Sequence, residues 1–334
     1  MAESDTLTTK DRFEELRNKR IITSQELAEL CALSTEEQFI VESMIPAHST
    51  SIIVGDSGLG KSPLAYQLGL AIATGEKFCT LTTKKSPVLM IDLENSLSQA
   101  DEMVESLRKF MGIERPEGLL RLNADIPSTI EEWIAFFREL KDITIIVDSL
   151  RAAWPAVPEK NQYAATLLQS LKSIARKHEL TFILIHHLRK PGVGDDAPPR
   201  LGDVTLIEWL NQASGARALV NQSDGRIGVA PIGVAPTDRL LVKSKIRVTD
   251  EFDWTLIREY DSMGNPAGYR MENGIDSIGH AAKTEFLRLP HEFRFTEARD
   301  LLGKKGGSLA KFIEKCVRAG ILERLTGDGG YRKR

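Results

Sequence analysis

Gly55, Asp56, Ser57, Gly58, Leu59, Gly60, Lys61 and Ser62 constrain this chain more than any other feature, because they fit GxxxxGK[ST] between an apolar strand and a helical stretch. The apolar run is Ser51-Ile-Ile-Val54, and the helical pattern runs from Pro63 to Thr74. In that setting glycines let backbone N–H groups wrap phosphates, and the helix N-terminus adds a favourable dipole. Lys61 would reach the phosphates and Ser62 would ligate Mg²⁺. Pro63 is compatible, since a first-turn helical position needs no N–H.

Short β-rich runs then alternate with helical stretches: Val88-Leu-Met-Ile91, Ile143-Thr-Ile-Ile-Val147 and Thr181-Phe-Ile-Leu-Ile185. Such alternation predicts an α/β fold, a mainly parallel sheet covered on both faces. Lys10 to about Ser43 is charged and helix-favouring, a helical lead-in. Arg189 to Arg200 is a Gly/Pro/charge cluster, hence a long exposed loop. A short helix is expected near Val204 to Asn211. Strands are expected at Ala218 to Asn221, Gly228 to Val234, Arg239 to Val248 and Phe252 to Tyr260, spaced for hairpins at the sheet edge. Asp261 to Asp276, rich in Gly and Asn, reads as a linker. The division is therefore a helical N-terminal segment (1–45), a phosphate-loop domain (46–262), a linker (263–278) and a small basic domain (279–334).

Charge is uneven. The net −3 conceals a tail from Gly279 to Arg334 with 13 Lys+Arg against 7 Asp+Glu, leaving 31 against 40 for the rest. Only that tail has the balance that attracts polyanions, and nucleic acid is the first partner to consider. Cys31, Cys79 and Cys316 are odd in number and not spaced for a metal, which suits reduced thiols in a cytoplasmic protein. No apolar run approaches the roughly 20 residues that cross a bilayer, and no membrane association is expected.

Three strand ends carry chemistry. Ile145-Ile-Val-Asp148 ends in an acid suited to hold Mg²⁺ through its water shell. Ser149 follows, not Glu, so a base for attacking water must come from elsewhere. Val88-Leu-Met-Ile-Asp-Leu-Glu94 supplies one: Glu94 could orient and deprotonate water, with Asp92 the rival further inside the strand. The fourth strand ends in His186-His187, where a polar group can sense a terminal phosphate and relay its loss to the loop that follows. His187, closer to that loop, is preferred.

Gly55 to Ser62, Glu94, Asp148 and His186-His187 in this order resemble the RepA-like branch of the RecA/DnaB superfamily of ATPases. Phe39-Ile-Val-Glu-Ser-Met-Ile-Pro46 is similar to the segment leading into the phosphate loop of that group, and the likeness covers roughly Phe39 to Tyr260. The resemblance implies a RecA-like sheet with the Val88–Asp92 strand beside the first, ATP and Mg²⁺ as ligands, and a homo-oligomeric, hexameric ring with single-stranded DNA in its channel. It also implies an arginine that reaches a neighbour's nucleotide. Ser214-Gly-Ala-Arg217 resembles the segment carrying it in RepA-like proteins, and Lys245-Ile-Arg247 is similar to the Lys-x-Arg of DnaB-like relatives. No cis arginine is expected near the phosphate loop. Two features depart from the pattern: no second hydroxyl residue follows Ser62, and Val248-Thr249 replace the Asn-Gly of the DnaB branch.

Residues 279–334 read helix, strand, helix, helix and two strands around a Gly327-Asp-Gly-Gly330 turn, an order resembling a winged helix. The third helix, capped at Ser308, has a core face of Leu309, Phe312, Ile313, Cys316 and Val317 and an opposite face of Lys311, Lys315 and Arg318. Together with Arg332 to Arg334 these cations suit duplex phosphates. The expected function is an ATP-hydrolysing ring motor on DNA, a replicative helicase of a mobile element; the alternative is an ATP-gated DNA-binding or regulatory ATPase that does not unwind.

Overall fold

A computed structural model describes residues 9–19, 21–33, 39–157, 160–189, 198–213, 217–233, 238–247, 251–272, 274, 278, 280–325 and 329–333. The chain divides into two compact units, Met1–Gln38 and Phe39–Arg334. In the first, α1 (Thr9–Asn18) and α2 (Ser24–Leu33) form a pair. Thr23 and Glu26 exchange hydrogen bonds at the start of α2 (3.2 and 2.8 Å), satisfying amides that the helix leaves open. The Arg12 guanidinium donates twice to Glu29 (2.8 and 2.9 Å), joining the two helices.

The second unit opens with β1 (Phe39–Val41), β2 (Ile45–Pro46) and β3 (Thr50–Gly55), followed by α3 (Lys61–Thr74), β4 (Val88–Asp92), α4 (Leu97–Met111), β5 (Leu119–Arg121) and α5 (Ile130–Arg138). Next come β6 (Thr144–Asp148), α6 (Leu150–Ala153), α7 (Asn161–His178), β7 (Thr181–His187), α8 (Leu206–Leu210) and α9 (Arg217–Gln222). Four strands follow: β8 (Gly225–Pro231), β9 (Arg239–Ile246), β10 (Phe252–Tyr260) and β11 (Pro266–Met271). The unit ends with α10 (His280–Arg288), β12 (Glu292–Arg294), α11 (Phe295–Leu302), α12 (Gly306–Arg318), β13 (Leu322–Arg324) and β14 (Gly330–Lys333).

One nine-stranded sheet, in the order β11-β10-β9-β8-β3-β7-β6-β4-β5, organises the unit. β3 pairs in parallel with β7 and β8, and β7, β6, β4 and β5 continue parallel, whereas β9, β10 and β11 return as antiparallel hairpins. This is the α/β, mainly parallel architecture expected. Alternating side chains serve opposite cores. Ile52 and Val54 join Trp133, Phe137, Leu167 and Leu171 of α5 and α7. Ile53 joins Leu64, Leu68 and Ile72 of α3 on the other face. Among the described residues no helix is long and apolar enough to cross a membrane.

Several local expectations are corrected. β4 does not lie beside β3, since β7 and β6 intervene. Residues 218–221 are helical, within α9: Leu219 and Val220 are buried against the core that α7 covers, and a short apolar run cannot be told from helix by pattern alone. The expected linker contains β11, whose Ala267, Tyr269 and Met271 are buried. The lead-in turns into strand at Phe39. α12 begins at Gly306 behind Lys305, with no Ser308 cap. Residues 190–197, 248–249, 326–328 and 334, expected as the exposed loop, the Val-Thr departure, part of the last turn and the chain end, lie outside the described residues, as do 214–216 before Arg217 and the side chain of Arg318.

The last six elements have a core of their own, including Phe286, Phe293, Leu309, Phe312, Ile313 and Cys316. Their three strands pair antiparallel in the order β12-β14-β13.

Candidate functional site

The carboxyl ends of β3, β7, β6 and β4 lie at one end of the sheet, with Gly55 opposite His187 and Asp92 opposite Asp148. The loop after β3 reverses through Gly58 (φ 79°) and Gly60 (φ 83°), left-handed conformations that strain any residue with a Cβ. Gly60 is the N-cap of α3 and makes no side-chain cap, leaving first-turn amides open to an anion. Lys61 is only 6% exposed, and its ammonium donates to the carbonyls of Gly55 (2.9 Å) and Asp56 (2.5 Å). Burial lowers its pKa, opposed by Asp148, Asp56 and Glu94.

Asp148 is 1% exposed, and its Oδ2 has no hydrogen-bond partner among the described residues. Burial pushes its pKa up to about 6, partly offset by the Ser62 hydroxyl bonded to it. An orphaned buried carboxylate oxygen beside a hydroxyl, at the open end of a phosphate loop, fits Mg²⁺. Among the described residues no three or more His, Cys, Asp or Glu side chains form a closed metal cage. Mg²⁺ in nucleotide sites needs none, taking one or two protein oxygens and the rest from phosphate and water.

Because the folded pKa of Asp148 lies above its ordinary 3.8, ionising it costs stability, a cost that grows as pH rises from about 4 through about 6. Asp148→Asn in metal-free, nucleotide-free buffer is therefore expected to be more stable than wild type at pH 8, by about 2 to 3 kcal/mol. The gain should shrink as pH falls toward 4. Thermal melts across that range check it; an equal or inverted difference at pH 8 contradicts it.

Glu94 stands just beyond β4. Its Oε1 accepts from Ser149 Oγ (2.5 Å) and lies 3.5 Å from His187 Nε2. Burial, then the Lys61 charge, lowers the His187 pKa, so the ring is neutral near pH 7 and able to donate Nε2–H to the carboxylate. His186, fully buried, points to the opposite face of β7. The structure thus brings Glu94, His187, Asp148, Ser62 and Lys61 together and leaves His186 out of the group.

Asp92 is not a second base. Its Oδ1 accepts from the backbone amides of Glu94 (3.1 Å) and Asn95 (3.0 Å) and from the Asn95 side chain. Its Oδ2 accepts from Tyr66 (2.8 Å) and Arg121 (3.1 Å), and Arg121 also donates to the carbonyls of Asp92 and Asn95. The buried carboxylate therefore fixes the turn that carries Glu94.

Arg217 is exposed at the start of α9, where the Ala218 amide donates to Asn161 Oδ1 at the start of α7 (3.3 Å). Arg247 lies 3.4 Å from Asp224, which also bonds Lys172 and the Thr50 amide at the beginning of β3. Lys245 pairs in register with Arg226 at the same end. Both are thus at the opposite end of the sheet from the chain's own phosphate loop. The loop is not without a nearby arginine, contrary to the sequence expectation. Arg258 of β10 donates to the Leu59 carbonyl (2.8 Å), and Arg151 of α6 is close enough to bear on His187.

Sequence reading missed Ser149, Arg121, Tyr66, Arg258 and Tyr269. Ser149 had a signal, the hydroxyl directly after Asp148; the others reach the site from distant elements and had none.

Fold and site together define a P-loop ATPase. The profile of the AAA domain family matches residues 19–193, and the chain belongs to that family. Among curated proteins none matches. The crystal structure of the RadB recombinase is similar at 16% identity, over 64% of this chain and 89% of that one, with a TM-score of 0.45.

Proposed function

We propose that this ATPase is a ring-forming motor that acts on DNA, in the manner of a RepA-like helicase of a mobile element. The observation that supports its chemistry best is the Glu94 carboxylate, held by Ser149 and His187 beside Asp148 and Lys61. In this reading the amides of Gly58 to Ser62 and the Lys61 ammonium cradle the phosphates of ATP. Mg²⁺ held by Ser62 Oγ and Asp148 would neutralise charge on those phosphates. Glu94 takes the proton of the attacking water, Ser149 and His187 aim its oxygens, and Arg217, or Arg247 with Lys245, completes a neighbour's site.

In this reading the loop from Arg189 to Arg200 faces the channel and contacts single-stranded DNA through its cations, and His187 leads directly into it. Gln212 ties both ends of that loop: its carbonyl accepts from the Arg189 amide and its side chain donates to the Pro199 carbonyl (both 2.9 Å). A change at His187 therefore has a short mechanical route to the loop base. The C-terminal elements, ordered helix, strand, helix, helix, strand, strand, are read as a winged-helix-like reader of duplex DNA.

One observation favours the second reading, an ATP-gated DNA-binding protein: Lys315 of α12 pairs with Asp253 of β10 (3.2 Å), so part of the basic face is engaged by the ATPase sheet. Strand displacement on a forked duplex separates the two. ATP-dependent unwinding is expected; duplex binding and ATP hydrolysis without unwinding would overturn the motor reading and leave the gated one. Lys311→Ala with Lys315→Ala should also flatten the dependence of log affinity on log salt by about 2, the release of two phosphate contacts. An unchanged slope would remove α12 from the DNA interface.

A further inference from the structure

The phosphate loop is held from behind by the last hairpin of the sheet. Arg258 of β10 donates to the Leu59 carbonyl (2.8 Å) and Tyr269 of β11 donates through its hydroxyl to the Gly60 carbonyl (2.9 Å). Tyr269 is 2% exposed and fixed at its own backbone. The Gln67 side-chain amide accepts from the Tyr269 N–H and donates to the Tyr269 carbonyl, both at 2.7 Å. Gln67 lies on α3, the helix that the loop opens. Loop, helix and hairpin thus form a closed ring of hydrogen bonds in which no member can rotate alone. The arrangement also restricts residue 60 beyond its φ of 83°, because a Cβ there would lie 2.1 Å from the Tyr269 hydroxyl.

In a trans peptide the C=O and N–H point in opposite directions. Holding the Leu59 carbonyl outward therefore aims the Gly60 N–H inward, and holding the Gly60 carbonyl outward aims the Lys61 N–H inward. These are two of the amides that a phosphate-binding loop directs at its ligand. Donors already oriented before the ligand arrives save the ordering cost of binding. The Arg258 cation also adds positive charge to the outer side of the same peptide groups.

We infer that Arg258 and Tyr269 are positioning residues for nucleotide binding, orienting the Gly60 and Lys61 amides from the carbonyl side. The inference rests on the reading of Gly55–Ser62 as a nucleotide cradle. It predicts a split: the two residues set affinity for the β-phosphate end of the nucleotide, and they leave the Glu94, Ser149 and His187 group untouched.

The test is calorimetric titration with MgADP, together with steady-state ATP hydrolysis. Tyr269→Phe, which keeps the buried ring, is expected to weaken MgADP by about fivefold. Arg258→Met should weaken it by about tenfold, with Arg258→Lys recovering part of the loss. For Tyr269→Phe, KM for ATP should rise in parallel while kcat changes less than twofold. Melting of the nucleotide-free variant should fall by only a few degrees, the cost of one lost buried hydrogen bond, with a smaller upward shift on adding MgADP. Tyr269→Phe affinity within twofold of wild type, or a fall in kcat at unchanged affinity, overturns the inference alone. A wild-type protein that takes up no MgADP overturns the cradle reading and the inference with it.

Discussion

Glu94→Gln is expected to bind ATP with near wild-type affinity and to hydrolyse it about 10² to 10⁴ times more slowly, the range typical of a lost general base. The amide keeps the shape and can still contact Ser149 and His187, but it cannot take a proton from water. Glu94 acts on the phosphate loop through its charge, which is felt at Lys61. Lys61→Ala should do the opposite and abolish binding, because it removes the ammonium that would reach the phosphates and the charge that favours ionised Asp148. Fluorescent-nucleotide binding and phosphate release on the same preparations distinguish the two. Full turnover by Glu94→Gln would end its assignment as base and leave Ser149 and His187 holding a merely structural carboxylate.

The second large effect concerns Arg217. Charge supplied across an interface raises phosphoryl-transfer rates by about 10³ to 10⁵ in well-studied GTPases. Arg258 already donates to the Leu59 carbonyl (2.8 Å) and is read as a brace of the loop, so the role in trans is assigned to Arg217. Arg217→Ala is therefore expected to bind ATP almost normally and hydrolyse it poorly. Mixing it with Glu94→Gln should restore part of the activity, because some interfaces then join an intact Glu94 to an intact Arg217. Two inactive parents giving an active mixture is the diagnostic result. An inactive mixture in which mixed oligomers are shown to form would place Arg217 outside the site and shift the role to Arg247 in trans or Arg151 in cis.

What could be read from the sequence was local. Gly55 to Ser62, the strand-ending Asp148 and Glu94 each carry their meaning within a few residues, and the apolar runs at 51–54, 88–91, 143–147 and 181–185 became the strands expected of them. What failed was anything decided by partners far along the chain. Leu219 and Val220 look β-like in isolation and became helical because a core beside α7 takes them. Tyr269 sat in a segment that Gly and Asn made look like a linker, yet Gln67, on a helix far earlier in the chain, holds it in the sheet. Arg121 gave no hint of its role, since the carboxylate it braces lies on another strand. The order of strands was equally hidden: nothing in the run at 88–92 says that two later strands will come between it and β3.

The central position of β3 has a consequence for how the protein is made. Both of its neighbours, β7 and β8, are encoded well after it, and so is the hairpin that braces its loop. At roughly 5 to 20 residues per second, a ribosome takes about 10 to 35 s to go from Gly55 to Pro231. Until β7 is made, both hydrogen-bonding edges of β3 are open, and until β8 follows one of them still is, the condition under which strands aggregate. A message truncated between Ser62 and Gly225 would yield a polypeptide with the full phosphate-binding motif and no completed sheet to support it.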